Sequence, residues 1–146
     1  MKFICTVTIQ QPIEKVAELF ADPAYLKEYQ EGFEKKELVS GEAGQVGAIS
    51  NLYYKTGKRT MELTETILVN NLPHEFMGQY HHKFTDNTMK SMFTALSENE
   101  TKYDAEIHYT EFRGTPVKVI KFFFHKFFKK QVQKWLNNFK IFAERM

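Results

Sequence analysis

The sequence predicts an α+β fold, a curved seven-stranded antiparallel sheet with two short helices wrapped around one long C-terminal helix. Three observations lead there. A strand-like alternation opens the chain at residues 3 to 9, and six further β-rich runs follow one another from about Phe33 with no helix between them. The chain then closes on a helical stripe that begins at Val117 and reaches Phe142.

The elements follow in order. Phe3, Cys5, Val7 and Ile9 alternate with Ile4, Thr6 and Thr8, which gives a strand with one face against a core. In "QPIEKVAELFADP", Pro12 suits a first helical turn, and Ile13, Val16, Ala17 and Phe20 repeat at helical spacing. Asp22 and Pro23 interrupt that helix, and "DPAYLKEY" reads as a second short one capped by Asp22. The runs "EKKELVS", "AISNLYYKT", "RTMELTETILV", "HEFMGQYHHKF", "TMKSMFTALS" and "TKYDAEIHYTEF" are strands, rich in β-branched and aromatic residues. Their connections ("SGEAGQVG", "TGKR", "NNLP", "TDN" and "SENE") are short turns, so a meander is the economical topology. Thr115 and Pro116 cap the last helix, whose stripe takes in Val117, Ile120, Phe124, Phe127, Phe128, Gln131, Trp135, Phe139 and Phe142. Lys118, Lys126, Lys129, Lys130, Gln133, Lys134 and Lys140 fall largely elsewhere.

Length and composition bound the function. The 146 residues make one domain, 1–146, large enough for a real core, and 42% hydrophobic with 26% charged residues is ordinary globular composition. Aromatics reach 15%, with 14 Phe and 7 Tyr, and that many rings can line a space as well as fill one. The single Cys5 excludes an internal disulfide and sits as a small strand residue. The opening "MKFICTVTIQQP" lacks a signal-peptide apolar region, and no run approaches the ~20 apolar residues of a membrane span. A cytoplasmic protein is the expectation. From Arg113 onward there are nine Lys/Arg and one acid, +8, against −6 for the rest, which together make the net +2. A basic amphipathic helix with Phe could meet an anionic membrane surface weakly, through its charges. The acidic body and the lack of a reading motif argue against nucleic acid.

The order of strand, two short helices, six strands and long helix, with "IQQPIEKVAELFADP", "SGEAGQVGA", "ELTETILVNNLPHEF" and the terminal helix, resembles the START-like helix-grip superfamily (SRPBCC). That group includes the birch-pollen-allergen and polyketide-cyclase-like proteins. The resemblance implies a cavity between sheet and terminal helix. The function it implies is binding or transport of a small hydrophobic molecule such as a lipid, isoprenoid or polyketide. The alternative is a cyclase/dehydratase-like enzyme. It also places "SGEAGQVG" between strands, as a mobile hairpin at the mouth. The flanks agree, because a phosphate-cradling loop needs a following helix and a Lys-Ser/Thr pair, and neither follows Gly47.

In such a fold the inward phase of each strand is where chemistry would lie. Met61, Leu63, Glu65, Ile67 and Val69 share one phase, Phe76, Gly78, Tyr80, His82 and Phe84 another, and Tyr103, Ala105, Ile107, Tyr109 and Glu111 a third. The run around Phe93 is ambiguous, with Met89, Ser91, Phe93 and Ala95 competing against Met92, Thr94 and Leu96. Glu65 among apolar neighbours is the candidate general acid or base, with His82 as its partner or proton shuttle. The expected ligand lining is Tyr54, Met61, Leu63, Glu65, Phe76, Tyr80, His82, Phe93, Tyr109, Phe124 and Phe128, where tyrosine hydroxyls serve a ligand's polar groups. No cofactor is expected. Adjacent His81 and His82 would point to opposite faces of a strand, so no metal is expected either.

Overall fold

A computed structural model describes residues 1–114 and 117–146, with side chains in the last helix from His125 onward. The strands are β1 (Lys2–Ile9), β2 (Phe33–Ser40), β3 (Ile49–Thr56), β4 (Arg59–Asn71), β5 (Glu75–His81), β6 (Thr85–Ser97) and β7 (Glu100–Phe112). The helices are α1 (Ile13–Ala21), α2 (Leu26–Tyr29) and α3 (Val117–Arg145), with a single 3-10 turn at Pro23–Tyr25 between the first two. Asp22 accepts the Ala24 N–H at 2.9 Å, which starts that turn where the sequence places a cap. The cap pair Thr115–Pro116 lies outside the described residues.

All seven strands form one antiparallel sheet in the order β1-β7-β6-β5-β4-β3-β2. β2 to β7 are a meander, as their short turns require. β1 adds to the far side of β7, so α1 and α2 carry the chain from one sheet edge to the other. α3 packs mainly on β1 and α2.

The core sits in that half of the molecule. Phe3, Cys5, Val7 and Ile9 of β1 and Tyr103, Ala105, Ile107 and Tyr109 of β7 are all buried, facing Val132, Leu136, Phe139, Phe142 and Ala143 of α3. Ser91 and Phe93 are buried too, which settles the phase of β6. On α3 the stripe is shifted from expectation. Phe127 is 65% exposed and points outward, whereas Val132 and Leu136 fill the core side. At 100° per residue, Phe127 lies about two fifths of a turn away from the Val132–Leu136–Phe139 line. Among the described residues no helix is long and apolar enough to cross a membrane.

The glycine stretch is fastened down. Gly41, Gly44 and Gly47 all take left-handed φ angles of 79 to 89°. The Gly47 N–H donates to Ile67 O at 2.8 Å, the Ile67 N–H returns to Ala48 O at 3.0 Å, and Asn70 Nδ2 donates to Gly44 O at 2.6 Å. The loop therefore continues the β3–β4 ladder, and the expected mobile hairpin is corrected to a connection pinned on β4.

Candidate functional site

Pairing across the sheet brings residues distant in sequence onto one inner face. Ser50 stands opposite Glu65, Glu65 opposite Tyr80, and Tyr54 opposite Met61. Cross-strand partners share a face, so the inward phase of β4 is confirmed from Met61 through Ile67. A register shift between Ile67 and Val69 ends it there, which removes Val69 from the set.

Glu65 is 6% exposed. Its Oε2 accepts the Tyr80 hydroxyl at 2.8 Å, and its Oε1 meets Lys36 Nζ at 2.9 Å. Lys36 reaches from the edge strand β2 across β3, with its stem half-buried. Gly78 makes room for this arrangement. A Cβ there would lie 2.7 Å from the Tyr80 oxygen, so the absent side chain lets the ring fold back along β5. Burial pushes the Tyr80 phenol well above its ordinary value, and the adjacent Glu65 charge pushes it further. Tyr54 is raised by the same causes in the same order. Both are neutral hydrogen-bond donors.

Tyr54 donates to Gln30 Oε1 at 2.7 Å and stacks on Trp135 of α3, with centroids 6.0 Å apart and planes at 10°. The site thus has two groups, Lys36–Glu65–Tyr80 on the sheet and Gln30–Tyr54–Trp135 reaching the helix, near enough that the Glu65 charge acts on Tyr54. Sequence reasoning found Glu65, Tyr54 and Tyr80, and missed Lys36, Gln30 and Trp135 as polar members.

His82 does not join them. β5 ends at His81, and the His82 N–H turns back to Thr85 O at 2.8 Å. Its Nδ1 accepts the Phe84 N–H at 3.2 Å, and its ring lies against Phe84, which is exposed. Burial first, then the positive neighbours Lys83, His81 and Arg113, lower its pKa. The expected Glu65–His82 pair is therefore corrected to Glu65–Tyr80, because the strand stops one residue too early. The turn that captures His82 is clamped by Arg113, which donates to both Asp86 oxygens at 2.9 and 2.8 Å and to the His82 carbonyl. His81 Nδ1 also meets Asp86, at 2.6 Å.

Hydrogen bonding from Arg113 chiefly holds the Asp86 carboxyl down at about 2. A depressed acid contributes stability above its unfolded value and loses it as the pH falls through the folded one. The melting temperature should therefore drop between about pH 4 and pH 2 more steeply in the natural chain than in Asp86→Asn. Equal slopes would show that the clamp adds no pH-linked stability.

The other expected lining residues divide between sealed and open. Phe93 is fully packed against Phe20 and Tyr103, at 5.2 and 4.6 Å, and belongs to the core. Tyr109 is buried against Phe112 and Phe128. Phe76, Leu63, Tyr80, Phe128 and Trp135 are half-buried, and Met61 is 38% exposed. The Phe124 side chain lies outside the described residues. The inner face is closed over β1 and β7, whereas on β4 and β5 Met61, Leu63, Phe76 and Tyr80 keep solvent access around the buried Glu65, Ile67 and Gly78. A separate open groove of about 300 Å³ lies between α1 and Leu72–Pro73, lined by Glu14, Ala17, Glu18 and Ala21, and contains none of these residues.

No protein-family model matches the chain, and no curated protein matches it in sequence. Solved structures do. The Zhui aromatase/cyclase from Streptomyces sp. R1128 superposes with a TM-score of 0.82 at 14% identity, over 99% of this chain and 94% of that one. A conserved protein from Geobacillus kaustophilus gives 0.81 at 10% identity, over 99% and 96%. Major latex-like protein 151 from Panax ginseng gives 0.72 at 15% identity, over 98% and 97%. At such identities the likeness is one of fold.

Proposed function

The chain has the START-like helix-grip fold, and from it we propose that the protein binds or carries a small, mainly apolar molecule between the sheet and α3. One observation supports this reading above the others. Inward-facing apolar residues of β4 and β5, Met61, Leu63 and Phe76, retain solvent access, while their counterparts on β1 and β7 are sealed. Apolar surface on the concave side of a sheet gains by being covered, at roughly 25 cal/mol per Å². The Lys36–Glu65–Tyr80 group beside it is suited to orient a polar end of the ligand.

The test is a fluorescence titration with anilinonaphthalene sulfonate, accompanied by native mass spectrometry for a co-purified apolar molecule. Saturable binding is expected, and Leu63→Trp, which fills the open region, should weaken it at least about ten-fold with little change in melting temperature. Non-saturable binding, or a Leu63→Trp variant that binds as well as the natural chain, would sink the reading.

A second reading, a cyclase- or dehydratase-like enzyme, draws on the 2.8 Å contact of Glu65 with Tyr80. A buried carboxylate and a phenol in hydrogen-bond reach are suited to moving a proton at a carbonyl compound. One of the structural neighbours is an aromatase/cyclase. In that reading Tyr80 takes the role the sequence assigns to His82. Turnover of a poly-β-ketone that survives Glu65→Gln and Tyr80→Phe would remove it.

A further inference from the structure

Trp135 Nε1 is the one buried side-chain nitrogen or oxygen among the described residues that has no hydrogen-bond partner. An indole N–H can only donate, and leaving a buried donor unmade is costly, so such groups mark places where something else belongs. The ring is not remote from the site. It stacks on Tyr54, which feels the Glu65 charge.

The neighbouring donors are already committed. The Tyr80 hydroxyl serves Glu65, the Tyr54 hydroxyl serves Gln30, and the Lys36 charge is matched by Glu65. A ligand carboxylate at the Tyr54–Trp135 pair would add a second negative charge within the field of Glu65, whose Lys36 partner is already engaged. A hydrocarbon would leave the indole N–H as it is. We infer that the ligand carries an uncharged acceptor oxygen, as in a ketone, ester or lactone, and that Trp135 N–H donates to it. The inference rests on the binding reading above and names the chemistry that the site selects.

The experiment uses the full chain and two isosteric probes, acetylnaphthalene and isopropenylnaphthalene, which differ in C=O against C=CH2. Trp135 is the only tryptophan, so a proton–nitrogen correlation spectrum contains one indole N–H peak to follow. The ketone should bind about ten-fold more tightly than the alkene and move the indole proton downfield. Trp135→Phe keeps a stacking ring and loses the donor, and should bring the ketone down to the alkene's affinity. Equal affinities in the natural chain with an unmoved indole peak would overturn the inference and leave the binding reading standing. Failure of both probes to bind would overturn the two together. Should Trp135→Phe not fold, the isostere comparison in the natural chain decides alone.

Discussion

Lys36→Met is expected to destabilise the protein by about 2–3 kcal/mol, and the double variant Lys36→Met/Glu65→Leu to recover most of that loss. Removing the lysine strands a carboxylate whose side chain is 8% exposed, with only the Tyr80 hydroxyl to satisfy it. Breaking a fully buried pair costs about 3–5 kcal/mol. The Lys36 side chain retains 22% exposure, which places this pair at or just below that range. Glu65→Leu alone should cost less, since the long lysine stem can swing its charge to water. The three variants and the natural chain make a double-mutant cycle, read by urea unfolding. A Lys36→Met cost below about 0.5 kcal/mol would mean that the pair behaves as an ordinary surface salt bridge.

The same pair shows where sequence reading stops. Strand phases of period two follow from sterics alone, so Glu65 and Tyr54 are legible as inward residues from their neighbours. Lys36 is not. It stands beside Lys35 on an edge strand, and which lysine turns inward depends on register irregularities at Phe33/Lys35 and Leu38/Ser40. His82 fails for a related reason. Its phase is right, but the strand ends at His81, where the Arg113–Asp86 contact holds the turn. That contact joins residues far apart in sequence, and nothing local announces it. The terminal helix is legible as an amphipathic element, yet Phe127 shows that a stripe read over many turns drifts from the true buried face. The fold survives such errors, because it needs element order and average phase. A site does not, because it needs individual side chains.

Phe139→Ala should separate the two halves of the inner face. Phe139 is 1% exposed and packs its ring against Tyr29 at 4.9 Å, Tyr103 at 5.9 Å and Phe20 at 6.3 Å. These partners come from α2, β7 and α1, so the ring ties α3 to three other elements of the sealed half. Truncating a buried Phe to Ala costs about 3–5 kcal/mol, and with rigid walls on three sides this cavity has little scope to collapse. Urea unfolding should register that loss in full. Binding at the open half should respond differently. Leu63, Tyr80 and Trp135 make none of the ring contacts of Phe139, but Phe20 is a partner the two halves share, meeting Phe139 at 6.3 Å and Phe76 at 5.5 Å, so a modest coupling passes through that ring. In buffer where the variant stays folded, its affinity for anilinonaphthalene sulfonate should remain within about five-fold of the natural chain, the margin that coupling through Phe20 allows. A parallel collapse of affinity would show that the probe binds in the core side of the grip. A probe that instead gains affinity would have found the new cavity. The expected pattern, large loss of stability with binding retained, assigns the β1–β7 half to holding the fold and the β4–β5 half to holding the ligand.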